Sequence, residues 1–81
     1  MKAKHLRVKL IKNGIEKVNL TFPVHTVNYL STIMPPAVKP KLIEKGIDLD
    51  AMRDEIINND FQQQEVFVFE DDEKKIKVWL D

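Results

Sequence analysis

Apolar and polar residues alternate in four stretches of this chain, and apolar residues recur at helical spacing in the segment between them. In HLRVKLI, Leu6, Val8 and Leu10 alternate with His5, Arg7 and Lys9, the pattern of a half-buried strand. KVNLTF repeats it with Val18, Leu20 and Phe22. A two-residue Asn13-Gly14 loop would set Val8 opposite Asn19 and Leu10 opposite Lys17, splitting the apolar faces. A three-residue loop from Lys12 to Gly14, with Gly14 at the left-handed position of a G1 bulge, pairs Leu6 with Leu20 and Val8 with Val18. That second register is the expected one, because a one-residue slip turns a strand inside out.

Pro23 suits the first turn of a helix, and Val24, Val27, Leu30, Ile33 and Met34 follow at helical spacing until Pro35-Pro36 stops it. A second, short helix is predicted from Pro36 to Gly46, distorted but not forbidden by Pro40, with Leu42 and Ile43 buried. Asp48 is positioned to cap a third helix lined by Leu49, Met52, Ile56 and Ile57, with Asp50 favourable in its first turn and Asn58-Asn59-Asp60 at its end. QEVFVFEDDEKKIKVWL then reads as a second hairpin with apolar residues at both odd and even positions. An even-numbered loop around Asp71-Asp72 groups Phe67, Phe69, Ile76, Val78 and Leu80 on one face; three loop residues would mix the phenylalanines with Lys75 and Lys77. The even loop is expected. The fold class is therefore α+β: two β-hairpins forming a four-stranded sheet, antiparallel or mixed, with two to three helices between them covering one face. Residues 1–81 form one small domain in this reading; strand order does not follow from the pattern.

The same parity leaves an outer sheet face. It carries Val66, Val68, Lys75, Lys77 and Trp79 from the second hairpin and His5, Arg7, Lys9, Lys17, Asn19 and Thr21 from the first. Arg7, Lys9, Lys17, Val66, Val68, Lys75, Lys77 and Trp79 are the candidate interaction face. A plain solvated face is the commonest fate of such residues, since lysine stems cover apolar surface while their heads stay in water. Self-association through Val66, Val68 and Trp79 and binding of an anionic ligand are the two functional readings. A basic sheet with an aromatic suits single-stranded nucleic acid in principle, but such platforms use two or three stacking aromatics and this face shows one.

Charge changes the picture more than composition does. The 81 residues sum to zero, but residues 1–45 hold nine Lys/Arg against two acids and residues 46–81 hold four against eleven, +7 and −7. This favours attraction between the halves, within a chain or between chains. With 43% apolar residues the chain can fold, though near the size where one core is only marginally sufficient. There is no cysteine, no run of the roughly 18 apolar residues a membrane helix needs, and no signal segment before the first strand. A cytoplasmic setting is expected.

Catalytic chemistry finds little support. GIDLD places Asp48 and Asp50 as a calcium loop would, but lacks the following Gly and the bidentate Glu. Glu70 to Glu73 (EDDE) reads as a solvated turn. His5 and His25 have no metal-ligand or nucleophile partner at a recognisable spacing, Ser31 lacks an elbow motif, and two glycines cannot build a phosphate loop. No catalytic residue, metal site or cofactor is expected.

LRVKLIKNGIEKVNLTFP, PPAVKPKLIEKGIDLD and VFVFEDDEKKIKVWL, in that order and spacing, resemble a small bacterial domain of YvlB-type and LiaX-type proteins, sometimes grouped with SHOCT-like domains. The similarity spans nearly all of residues 4–80, with KVNLTFP and KGIDLD its most specific parts. The resemblance implies a place near the N-terminus of longer proteins associated with envelope stress, an accessory role, and no catalytic residues to carry over. Residues and resemblance together point to a non-catalytic interaction module. A protein partner or a second copy is expected, with nucleic acid disfavoured and a lipid or envelope polyanion the alternative on the same basic face.

Overall fold

The computed structural model describes residues 2–81. Four strands, β1 (His5–Lys12), β2 (Ile15–Pro23), β3 (Gln64–Asp71) and β4 (Lys74–Leu80), form one sheet in the order β2-β1-β4-β3, every neighbouring pair antiparallel. Between the hairpins lie a 3-10 helix (Val24–Tyr29) and three α-helices: α1 (Leu30–Ile33), α2 (Lys39–Glu44) and α3 (Leu49–Asn58). The fold is α+β, with the helices on one face.

Alternation decides which residues that face buries. Leu6 and Val8 of β1 and Ile76, Val78 and Leu80 of β4 are buried and share a face with Phe67 and Phe69 of β3. Val27, Leu30, Met34, Val38, Leu42, Leu49 and Ile56 cover them from the helical side, and no buried residue among those described is polar or charged. The second hairpin closes as expected on an even loop. Asp71 pairs with Lys74, leaving Asp72-Glu73 as the turn with Asp72 at φ 51°.

The first hairpin corrects the expected register. It uses the two-residue Asn13-Gly14 turn, both residues left-handed at φ 54° and 76°, as a primed turn requires. The splitting of faces that this loop would cause is repaired by a bulge: Ile11 pairs with Glu16 but Leu10 pairs with Val18, so Lys17 is the extra residue. Beyond it Val8 pairs with Leu20 and Leu6 with Phe22. The face assignment survives although each pairing moves by two residues.

The helical region departs from expectation in two places. Val24 to Tyr29 forms a 3-10 helix between Pro23, which is extended, and α1. Helix α2 starts at Lys39, not Pro36, with Pro40 in its first turn where a missing N–H costs nothing. That start buries Val38 and Leu42 and turns Ile43 to solvent, 70% exposed. Ile57 is likewise exposed at the end of α3. Asp48 caps α3 as expected, its Oδ1 accepting from the Ala51 N–H at 3.1 Å.

Leu42→Ala is expected to destabilise the fold by about 2–5 kcal/mol in urea unfolding. Its neighbour Ile43→Ala should stay within about 0.5 kcal/mol of the parent. Gly14→Ala should cost about 1–2 kcal/mol, because no atom lies within 4 Å of the added Cβ and the left-handed φ alone opposes it.

Candidate functional site: the outer face of the sheet

Register sorts the outer face into rows that run across the strands. Thr21, Arg7, Trp79 and Glu65 form one row; Asn19, Lys9, Lys77 and Val68 the next; Glu16, Ile11, Lys75 and Glu70 the third. Six of the eight candidate residues, Arg7, Lys9, Val68, Lys75, Lys77 and Trp79, thus come together on this face. Lys17 sits at the β2 bulge and is exposed.

Val66 does not join them. A second bulge falls between Glu65 and Phe67 in β3, and Val66 packs partly buried against the core, lining a cleft with Met52, Glu55 and Ile56 of α3. The bulge also sets Glu65, rather than an apolar residue, opposite Trp79.

The face is less basic than its lysines suggest. Asp81 follows Trp79 at the same parity, and the Arg7 Nε reaches its two carboxylate oxygens at 2.8 and 2.7 Å. The Arg7 guanidinium also donates to the Thr21 hydroxyl at 3.3 Å. His5 Nδ1 stands 3.8 Å from Asp81, too far for a hydrogen bond. Lys75 pairs with Glu70 at 3.5 Å. Part of the +7/−7 asymmetry is accordingly answered within the chain, since Lys2–Asp60, Arg7–Asp81 and Lys41–Asp71 each join the first half to the second.

Two cations in the middle are not answered. Lys9 and Lys77 are directly opposite on β1 and β4, and among the described residues no carboxylate lies within salt-bridge distance of either. Like charges in directly opposed positions destabilise a sheet. The Lys77 ammonium lies 5.2 Å from the centre of the Trp79 ring, a cation–π contact worth about 0.5–1 kcal/mol at such a site. Beside the pair are the half-buried Ile11 and the exposed Val68. The centre is a cationic and apolar patch rimmed by closed ion pairs.

Elsewhere the chemistry is structural. The Lys41 ammonium, 2.8 Å from Asp71, ties α2 to the end of β3. Its hydrogen bond holds the Asp71 carboxyl below the ordinary carboxylate range, and the same bond raises Lys41. The hydrogen bond from Arg7 similarly holds Asp81 down, with its charge and a contact from the Trp79 indole adding to the effect. A concavity of about 340 Å³ lies away from the sheet, where α2 and the start of α3 meet around Ile43, Gly46 and Asp48. Among the described residues no group of three or more His, Asp or Glu is gathered as metal ligands. No helix among them is long and apolar enough to cross a membrane.

Residues 4–79 match the family model described as "YvlB-like protein, C-terminal domain". No curated protein and no solved structure matched the chain. The description puts the unit at the carboxy-terminal part of YvlB-like proteins and corrects the expectation of a place near the N-terminus.

Asp71 and Asp81 titrate below their ordinary value of 3.8, so their contribution to stability is complete above that pH and is lost as pH falls through the folded-state value. The stability gap between the parent and Asp71→Asn, or Asp81→Asn, in urea unfolding should therefore be constant near neutrality and narrow below pH 3.8. Lys41 is raised above 10.5, so its share should persist until the pH passes that value. Lys9→Glu, which places a carboxylate opposite Lys77, should raise stability by about 0.2–1 kcal/mol.

Proposed function

The chain belongs to the YvlB-like C-terminal domain family, and from that premise we propose that it is a non-catalytic interaction module whose outer sheet face docks a protein partner. The observation that carries the reading is the Lys9–Lys77 pair. Two lysines opposed across the central strands weaken the free sheet, and a partner carboxylate placed between them would relieve that repulsion. Trp79, Ile11 and Val68 supply the apolar contact around it, Trp being among the residues that most often anchor interfaces. The preferred partner surface is thus an acidic side chain within an apolar patch.

The non-catalytic part of the proposal draws support from the ionisable groups. The displacements of Lys41, Asp71 and Asp81 are accounted for by surface ion pairs and hydrogen bonds, which need no catalytic role. The setting we propose is a bacterial protein tied to envelope stress, as the family resemblance implies, acting from the cytoplasm, a reducing compartment that a chain without cysteine suits. An anionic ligand is the second reading. It is weakened by Glu16, Glu65, Glu70 and Asp81, which share the face with the cations, and by the single aromatic.

Site-specific photo-crosslinking in the producing cell tests the proposal. A photoreactive residue at Val68 should yield a discrete protein adduct that Lys9→Glu abolishes, while the same residue at Ala51, exposed on α3, should yield none. An adduct with nucleic acid or lipid would favour the anionic reading. Equal labelling from positions 68 and 51 would remove the outer face as the docking surface.

A further inference from the structure

The sheet has two edges, and they are not alike. β3 bears Glu65, Glu70 and Asp71, so pairing this edge with itself would bring carboxylates together, and its bulge at Val66 interrupts the ladder. β2 is different. From Val18 to Phe22 it reads VNLTF, five residues without a charge, bounded by the Lys17 bulge on one side and by Pro23, which has no N–H, on the other. It lacks the charges with which edge strands are usually protected.

Its hydrogen-bonding groups can be assigned. His5 and Asp81 exchange both backbone bonds, so the odd residues of β1 bond to β4 and the even ones to β2. Val24 N–H donates to the Lys4 carbonyl, in keeping with that alternation. The partners of the even residues are Val18, Leu20 and Phe22, which leaves the N–H and C=O of Asn19 and Thr21 directed out of the sheet.

The apolar side of this strand is also incompletely covered. Leu6 and Val8 on β1 are fully buried, while their β2 neighbours Phe22 and Leu20 are half-buried and 39% exposed.

We infer that β2 is the dimerisation edge of this protein, pairing antiparallel with β2 of a second copy about a two-fold axis at Leu20. The occupant is chosen by self-complementarity. A two-fold centred on Leu20 sets Leu20 against its own copy and Val18 against Phe22 on the helical side. It sets Asn19 against Thr21 on the outer side, so the two residues with free backbone groups meet and form four hydrogen bonds. No like charges are opposed, since Lys17 falls opposite Pro23. The resulting eight-stranded sheet keeps its two acidic β3 edges at opposite ends, as far apart as the assembly allows. This inference concerns a different surface from the outer face and does not depend on that reading.

Sedimentation equilibrium of the full chain, with Leu20→Lys and Thr21→Pro beside the parent, tests it. The parent should approach twice its 9.5 kDa mass as concentration rises, and both variants should remain at 9.5 kDa. Thr21→Pro removes an outward N–H and no bond to β1, so it keeps the test valid if Leu20→Lys fails to fold; far-ultraviolet circular dichroism checks both. The chain has no cysteine, so Leu20→Cys introduces a single thiol. In a directly opposed, non-hydrogen-bonded pair it lies within disulfide reach, and mild oxidation should cross-link two chains. A monomeric parent overturns the inference, as does a dimer that survives Thr21→Pro. Growth beyond a dimer would mean head-to-tail pairing of β2 with β3, and efficient cross-linking of Thr21→Cys in place of Leu20→Cys would mean another register; either result overturns the Leu20-centred dimer.

Discussion

Pairing of the first strand with the last is the interaction on which the rest of the structure depends. Each hairpin alone is a local object closed by a two-residue turn, and two-stranded hairpins are marginal in water. The β1–β4 ladder, Leu6 with Leu80 through Lys12 with Lys74, joins them into one sheet and places Leu6, Val8, Val78 and Ile76 at its centre. Bringing such distant segments together has an entropic cost that grows only slowly with loop length, and the apolar side chains of the central strands offset it. The ladder is reinforced where the turns meet, with Asn13 donating to the Glu73 carbonyl, and at the opposite end by the bonds between His5 and Asp81.

That ladder also creates the two surfaces of interest. By bringing β1 beside β4 it opposes Lys9 and Lys77 and sets Arg7 beside Trp79. By making β1 and β4 central it sends β2 and β3 to the edges, where their different charge decides which is open to pairing. The helices do not settle either matter. They pack on the inner face against both hairpins, and the Lys41–Asp71 ion pair adds a polar tie between α2 and the end of β3 at the margin of the core.

What the sequence revealed follows the range of the physics involved. The second hairpin was legible because Phe67 and Phe69 can share a face with Ile76 and Val78 only on an even loop. The third helix was legible from Asp48 and the spacing of Leu49, Met52 and Ile56. The first hairpin was not, since the bulge at Lys17 restores a face that the Asn13-Gly14 turn would otherwise lose, and nothing in KVNLTF marks a bulge. Val66 was misplaced for the same reason. Strand order depends on which hairpin edge finds the other, a non-local choice with no pattern of its own. The outer face looked more basic than it is because Asp81, although it shares parity with Trp79, was not counted with it. The bulge that put Glu65 opposite Trp79 was also out of sight.

The architecture sets a timetable as well as a shape. Hairpins with two-residue turns form on about the microsecond scale, whereas chains dominated by long-range pairing fold in milliseconds to seconds. Between those times the inner edges of both hairpins, β1 and β4, stand open, and either could accept the wrong strand. The cations on these strands, Arg7 and Lys9 on β1 and Lys75 and Lys77 on β4, are suited to that interval. Repulsion between β1 strands of two chains, or between β4 strands, makes each a poor partner for its own kind. The lysines that weaken the finished sheet slightly would thus guard the unfinished one against aggregation.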